Sequence, residues 1–441
     1  MTPTMRSSLA YLCLLSFPLL ATTAVNMQEK TLYASFLVLF NCVAMALFFL
    51  QFPLVGRLKG VGVFANINWS MFLHRRVGKW LAVIFLLHPV LILAPRFLVS
   101  FDTGMESLVA AVQARQLLTG IIAWLALLLW VLLAVLRDRL SMSYEVWRLT
   151  HVLGFVGIAA LATLHVTTVG SHGQYETWFN GLWWSLFALS VGIVAYNYLV
   201  KPRALQAHPF TLVGVEPVSS RDWQLTIEQP AGADFDFEPG QFVWLNTDAA
   251  GAGKDHPFSI ASSRASLPRL SFLIRGLGDF TRTLDQLQVG QQVYVDGPYG
   301  SISLADASRA SAILLIAGGA GIGPLLSMVR GLAEQGDARP VRLIYGNGQL
   351  DQMVLQDEIA TLETQMPDFR QQLACLQACD RAGVYQGVID RSVIERTMGS
   401  QAPANWVVYL CGPEAMITAA SGSLKEIGIP RRNVHYEQLS F

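Results

Sequence analysis

Residues 72–90 read FLHRRVGKWLAVIFLLHPV, and residues 149–167 read LTHVLGFVGIAALATLHVT. Both lie in apolar stretches long enough for a bilayer-spanning helix, and both carry two histidines, a residue type that is costly among lipid. His74 and His88 are 14 residues apart, and so are His151 and His165. Fourteen helical steps fall about 40° short of four full turns, so each pair looks out from one side of its helix, roughly 21 Å apart along the axis. Any one of these histidines, taken alone, reads as a hydrogen-bonded interior residue. Two equal intervals on two helices read as ligands. Set side by side, such helices present one histidine pair at each of two depths, which makes two bis-histidine sites for b-type haem. His74 with His151 would hold the inner haem, and His88 with His165 the outer.

Working outward from these stretches, six membrane-spanning helices are expected, at roughly 8–27, 31–52, 72–95, 116–136, 149–170 and 177–200. The basic residues between them are unevenly shared. Arg6, Arg57, Lys59, Arg75, Arg76, Lys79, Arg137, Arg139, Arg148, Lys201 and Arg203 fall on one side, against Lys30, Arg96 and Arg115 on the other. The positive-inside rule makes the richer side cytoplasmic, with both termini and everything after residue 205 on it, in a plasma membrane or bacterial inner membrane. The first segment also resembles a cleavable signal peptide, whose loss would leave five helices in the same orientation. Arg75, Arg76 and Lys79 read as a cytoplasmic anchor, with haem propionates or flavin phosphates as alternative partners. Pro89 is expected to kink its helix. His172 falls in a polar loop, where it reads as solvated.

Composition agrees with a divided chain. Of the 441 residues 53% are hydrophobic and 14% charged, which excludes a wholly soluble, disordered or collagen-like protein. Residues 1–205 hold 14 Lys and Arg against 6 Asp and Glu, while 206–441 hold 17 against 25, so the net charge of zero conceals a basic and an acidic half. Neither half has the dense basic stripe of a nucleic-acid binder. Five scattered cysteines give no disulfide framework and no zinc spacing, and Cys375 and Cys379 read as ordinary buried thiols.

After Lys201-Pro202-Arg203 the pattern changes to short runs broken by Gly and Pro. FTLVGVEPV, WQLTIEQP, QFVWLNT, RLSFLIRG and QVYVDGPYG read as strands of a small antiparallel barrel. From about residue 309 a second pattern begins. ASAILLIAGGAGIGPLLSMVRGLAEQG is an apolar strand, a Gly-rich turn and a helix, and VRLIYG, FRQQLACL and NWVVYLCG follow as further strands, so a parallel Rossmann-like α/β sheet is expected. The glycines let the backbone approach a pyrophosphate at a helix N-terminus. The expected domains are residues 1–204 (all-α transmembrane bundle), 205–307 (antiparallel barrel) and 308–441 (α/β).

HPFSIASS (256–263), RGLGDFTRTL (275–284), DGPYG (296–300), AGGAGIGP (317–324), LCGPEAM (410–416) and the terminal Phe441 resemble the flavin- and nicotinamide-binding module of the ferredoxin-reductase superfamily. Joined to a six-helix dihaem domain, the version beginning His-Pro-Phe resembles that of the NADPH oxidase and ferric reductase family, along nearly the whole chain. The resemblance implies FAD, two b-type haems and NADPH or NADH as cofactors. It places Phe258 against the flavin ring and Ser259 near the reactive flavin nitrogen. His256, Pro257, Ser262, Arg275 and the segment Gly278, Asp279, Phe280 and Thr281 are implied at the rest of FAD. Gly318, Gly319, Gly321, Ile322, Gly323 and Pro324 are implied at the dinucleotide pyrophosphate. Cys411, Gly412 and Pro413 would frame the nicotinamide, and Phe441 would cover the flavin face that nicotinamide must reach. Cys411, Ser259 and Phe441 are thus the implied catalytic set.

The chain departs from the eukaryotic oxidases of that family at one position. They carry a histidine one turn beyond the outer-haem ligand, where this chain has Ile92. The activity implied is electron transfer across the membrane from cytoplasmic NAD(P)H to an outer acceptor, with oxygen (giving superoxide) first, then a ferric chelate, then a periplasmic protein partner. A transporter with histidines in its pore is the rival class, and it leaves the flavin module without a purpose.

Overall fold

The computed structural model describes residues 3–24, 31–58, 67–140, 142–170, 177–248, 254–300 and 302–438. Lys30, Lys59, His172 and Phe441, singled out above, lie outside the described residues. The chain forms two compact units, Met1–Pro202 and Arg203–Phe441.

The first unit is helical: α1 (Pro3–Ala24), α2 (Leu32–Leu54), α3 (Ile67–Val99), α4 (Phe101–Gln113), α5 (Leu118–Leu136), α6 (Tyr144–His165) and α7 (Thr177–Ala195). A π-helical turn, Val166–Gly170, extends α6, and another, Tyr196–Val200, joins α7 to the short α8 (Lys201–Gln206). Among the described residues five helices are long and apolar enough to cross a membrane: Leu32–Leu54, Trp69–Val99, Arg115–Leu136, Tyr144–Val169 and Thr177–Gln206. They coincide with the second to sixth expected spans. The first expected span falls on α1, and its residues 25–27 lie outside the described residues.

Bundle packing follows from helix faces. Met45, Phe48 and Phe49 of α2, Leu81 of α3, Leu127 of α5, Ile158 and Ala159 of α6 and Phe179 and Trp183 of α7 share one apolar core. Leucines on the other faces are exposed, as bilayer contact demands. Helix α3 continues through Pro89 and Pro95, so the expected kink does not interrupt it. The stretch after it, which falls between two expected spans, is helix α4. Ser100 caps it, its Oγ accepting from the Thr103 amide at 3.1 Å, and Gly104 lets the chain close on Phe97, whose ring a Cβ would meet at 2.2 Å.

The second unit begins with an antiparallel sheet: β1 (Phe210–Pro217), β2 (Asp222–Glu228), β3 (Phe242–Asn246), β4 (His256–Ser259), β5 (Arg269–Arg275) and β6 (Gln292–Tyr299). Its order is β4-β3-β6-β1-β2-β5. The two edges meet through a bridge between Ile260 and Phe272 and a hydrogen bond from the Ala261 amide to the Ser271 carbonyl (2.8 Å). A parallel sheet follows, formed by β7 (Ala312–Gly318), β8 (Val341–Asn347), β9 (Phe369–Cys375), β10 (Tyr385–Gln386), β11 (Trp406–Gly412) and β12 (Val434–Gln438) in the order β10-β9-β8-β7-β11-β12. Helices α9 (Ile322–Glu334) and α10 (Gln356–Gln365) cover one face, and α11 (Arg391–Met398) and α12 (Glu414–Ile427) the other. With helices on both faces, every residue of β7 and β11 is buried, which is why both read as unbroken apolar runs.

Three hydrogen bonds tie the sheets together along α9, one of them from Ser263 Oγ to the Glu334 carboxylate. Ser327 Oγ donates to the Ser262 carbonyl (2.6 Å), and Arg330 Nη1 donates to the Ala261 carbonyl (2.6 Å) while its other nitrogens grip Glu358. The helix that begins at the Gly-rich turn is therefore fastened to the residues that follow the His-Pro-Phe-Ser strand.

Candidate functional site

In the helical unit, α3 and α6 bring the rings of His74 and His151 to 6.4 Å between centroids, with planes 75° apart. A metal–imidazole bond is about 2 Å and the ring centre lies roughly 1 Å further, so two imidazoles sharing one ion stand about 6 Å apart. The observed separation fits an iron between them. His165 Nδ1 is buried without a hydrogen-bond partner, so this imidazole has bonding capacity that the protein does not use. At the second level His88 Nδ1 lies 3.1 Å from Asn41 Oδ1. With the amide oxygen facing the ring, Nδ1 carries the proton and the Nε2 lone pair is available to a metal. Gly120 of α5 makes room for His165, whose Cε1 would be 2.6 Å from a Cβ there. The π-helical turn starts directly after His165, a feature common at functional sites.

Among the described residues no group of three or more His, Cys, Asp or Glu could hold a bare metal ion. The histidines come in twos, the number that an iron already held by a macrocycle still needs. Phe48, within 6.0 Å of Phe85 and 6.4 Å of Phe155, fills the apolar interior between the two levels. Sequence reasoning missed Asn41 and Gly120. The signal for Asn41 was available, since an amide in an otherwise apolar helix needs a partner; Gly120 had none.

In the second unit β4 is paired with β3, Phe242 opposite Ser259, Val243 opposite Phe258, Trp244 opposite Pro257 and Leu245 opposite His256. His256 stacks face to face on Phe280, with centroids 4.5 Å apart and planes at 6°. Two parts of the expected flavin set, the His-Pro-Phe-Ser strand and the Gly278–Thr281 turn, are thereby brought together. Thr281 Oγ1 accepts from the amides of Leu277 (2.9 Å) and Gly278 (2.8 Å), so this hydroxyl shapes the turn. Asp279 is exposed at its tip. Ser262 Oγ accepts from the Ser271 amide at 3.1 Å, which makes it part of the framework.

Arg275 forms a forked ion pair with Asp222, its cross-strand neighbour, Nε donating to Oδ1 at 2.8 Å and Nη2 to Oδ2 at 3.1 Å. The side chains are 16% and 4% exposed, so the charge is largely neutralised where it stands. Nη1 nonetheless reaches the Gly-rich turn, 2.7 Å from where a Gly319 Cβ would be. Asp222 was not foreseen, because it is 53 positions away in the chain.

At that turn β7 ends at Gly318, Gly319 takes φ +54°, and α9 starts at Ile322 with Gly323 and Pro324 in its first turn. A Cβ at Gly321 would lie 2.2 Å from the Cys411 carbonyl oxygen, and one at Gly318 2.5 Å from Met416 Sδ and 2.9 Å from Pro413 Cδ. The Gly-rich turn thus packs against Cys411, Gly412 and Pro413, two motifs that the sequence separates by about 90 residues. Cys411 is fully buried and sits in register with Ala317 on one side and Glu437 on the other. Glu437, 2% exposed, is a neighbour of the candidate site that the sequence did not reveal.

Burial, and then the charge of Glu437, push the Cys411 thiol well above its ordinary range. A raised thiol pKa means that the neutral form persists at and above neutral pH. Iodoacetamide is therefore expected to leave Cys411 unmodified in the folded protein at about pH 8 and to label it only on unfolding. Peptide mapping before and after denaturant checks this, and native labelling of Cys411 would contradict it.

At the far end of the dinucleotide region, Asn347 Nδ2 donates to the Gln352 carbonyl (2.7 Å) and Gln349 Nε2 to Gln377 Oε1 (2.9 Å). No arginine follows β8 in Asn347-Gly348-Gln349 to grip a 2′-phosphate, while Arg381 is exposed on a later loop. The expected result is a weak preference between NADPH and NADH. Steady-state KM values for both cofactors check it; a thousandfold preference unchanged in Arg381→Ala would contradict it.

Three family models match the chain: "Ferric reductase like transmembrane component" over residues 40–163, "FAD-binding domain" over 218–303 and "Oxidoreductase NAD-binding domain" over 315–422. The reductase component of propane 2-monooxygenase from Mycolicibacterium goodii is 33% identical over 238 residues, which are 52% of this chain and 66% of that protein. The electron transfer component of toluate 1,2-dioxygenase from Pseudomonas putida is 30% identical over 230 residues, 51% of this chain and 66% of that protein. The chain thus spans just under two thirds of the length of these relatives. Among solved structures, the Amycolatopsis cytochrome P450 reductase GcoB aligns with a TM-score of 0.48 and 24% identity over 53% of this chain and 69% of that one.

Proposed function

We propose, from the premise that this chain has the architecture of the NADPH oxidase and ferric reductase family, that it oxidises cytoplasmic NAD(P)H and delivers the electrons outside the membrane to oxygen, giving superoxide. The protein is an oxidoreductase with FAD- and NAD-binding domains joined to a ferric-reductase-like membrane component, an assembly suited to transmembrane electron transfer. We assign residues 1–204 to the membrane domain, 205–307 to the flavin domain and 308–441 to the dinucleotide domain. The observation that carries the reading is the pair of histidine levels on α3 and α6, the first with its rings 6.4 Å apart.

FAD, when bound, would turn the two-electron hydride into single electrons, and two haems would relay these across a hydrocarbon layer about 30 Å thick. The chain's own residues do the rest. His74 and His151 are the inner ligands and His88 and His165 the outer, with Asn41 holding the His88 tautomer. Phe258, Ser259, His256 and the Gly278–Thr281 turn receive FAD. Gly318, Gly319 and Gly321 shape the β7–α9 turn that would receive the pyrophosphate, and Arg275 faces that turn with its charge balanced by Asp222. Cys411, fully buried beside Glu437, supplies a neutral thiol at the nicotinamide end. Phe441 is assigned to the flavin face. The excess of basic residues on one side of the spans supports a cytoplasmic second unit by the positive-inside rule.

The test is NAD(P)H oxidation by the purified full chain with cytochrome c or ferric citrate as reporter, with and without superoxide dismutase. Dismutase-sensitive reporter reduction is expected. Ferric citrate reduction that dismutase leaves untouched would replace oxygen by a ferric chelate. Ile92 and the exposed Arg96 on the outer part of α3 make that the outcome to watch for.

A further inference from the structure

The inner histidine pair is not held by its helices alone. Residues Trp147, His151 and Phe155 recur every four positions on α6 and so form one stripe. Trp147 lies parallel to His151, with ring centroids 4.6 Å apart and planes at 16°, while Phe155 closes the next turn at 4.7 Å and 48°. Beyond the indole stands Arg137, at the end of α5, its guanidinium carbon 4.9 Å from the Trp147 ring centre and 5.7 Å from that of Tyr144. A cation over the indole face favours that placement electrostatically, so Arg137, Trp147 and His151 form a three-layer stack. His88, at the other level, is oriented differently, through its hydrogen bond to Asn41.

We propose that Trp147, backed by Arg137, is a positioning residue that sets the plane of the His151 imidazole and holds it crossed to that of His74. The inference rests on the reading that these two histidines ligate one haem. An axial imidazole can turn about its metal–nitrogen bond unless something outside the first coordination sphere fixes it. Its plane decides which iron d orbital receives its π electrons. Parallel imidazoles donate to the same orbital and split the pair of π-type d orbitals; crossed imidazoles donate to both and leave the pair nearly degenerate. A crossed arrangement, such as the 75° here, gives a strongly anisotropic low-spin ferric signal with its main feature at low field, and it changes the reduction potential. Trp147 thus tunes the haem that receives electrons first, without touching the iron.

The experiment compares the dihaem-loaded full chain with Trp147→Leu, Trp147→Phe and Arg137→Met by low-temperature EPR and by spectroscopic redox titration. Haem content is read from pyridine haemochrome absorbance. Trp147→Leu is expected to keep both haems, move the low-field feature of the inner haem to higher field and shift its midpoint potential. Trp147→Phe, which restores a flat ring on His151, is expected to return both readouts to the wild-type values. A Trp147→Leu protein with the wild-type signal and potential overturns the proposal. Should Trp147→Leu lose haem, Arg137→Met decides: a smaller shift in the same direction supports the stack, and an unshifted signal overturns it. His151→Ala separates the two ideas. If the wild-type protein has no low-spin signal that this substitution removes, the haem reading itself fails.

Discussion

Alanine at His151 or His74 is expected to remove one of the two haems and leave the other in place. The pyridine haemochrome absorbance per chain should fall to about half, because a low-spin bis-histidine iron loses its site with either ligand. His88→Ala and His165→Ala should also halve it, at the expense of the other haem. Pairing by level is the discriminating part. His74→Ala combined with His151→Ala should lose no more than either alone, whereas His74→Ala combined with His88→Ala should leave no haem. The 6.4 Å between the His74 and His151 rings motivates the same-level pairing. A ratio of two haems per chain surviving any single substitution would refute it, and so would a same-level double mutant free of haem. Loss of either haem should also stop acceptor reduction outside while NAD(P)H-dependent bleaching of the flavin persists.

The glycines of the β7–α9 turn should not respond alike. A Cβ at Gly321 would lie 2.2 Å from a backbone carbonyl oxygen, and backbone cannot swing away as a side-chain tip can. At Gly323 the nearest atoms are 3.8 Å and 3.9 Å away, ordinary contact distances. Overpacking of this kind costs about 1–3 kcal/mol or more. Forced apart, the turn and the Cys411–Pro413 segment no longer frame one site, so Gly321→Ala is expected to raise the KM for NAD(P)H roughly a hundredfold, about 2.8 kcal/mol. Gly323→Ala should stay within a few-fold of the parent protein. Haem content should be unchanged in both. Stopped-flow flavin reduction across dinucleotide concentrations measures the difference, and equal behaviour of the two variants would mean that the clash at Gly321 is relieved at no functional cost.

Several features of the chain were legible because they are local. The interval of 14 between histidines acts through a single helix, and the positions of the second to sixth spans follow from runs of apolar side chains that need no partner to be recognised. The strand, Gly-rich turn and helix at 312–334 is likewise continuous, and it folds as read. Where the reading failed, the signal was weak or shared. Helix α4 is short, and only its Ser100 cap and the following Asp102 announced it. Strand β10 has two residues and is held by its partner β9, so no period could show it.

Side chains that meet across the fold were out of reach for a different reason. Asn41 and His88 lie on separate helices, Asp222 and Arg275 on separate strands, and Glu437 reaches Cys411 only because β12 pairs in parallel with β11. Gly120 is the plainest case: nothing near it in the chain requires a glycine, and the His165 ring 45 positions later does. By itself the sequence determined which residues are the candidates for the chemistry and on which elements they ride, because helix and strand periods are properties of a few consecutive residues. Only the tertiary structure decided what orients them, from the indole on His151 to the carboxylate on Arg275. An orienting contact belongs to two elements at once, and folding alone sets their register.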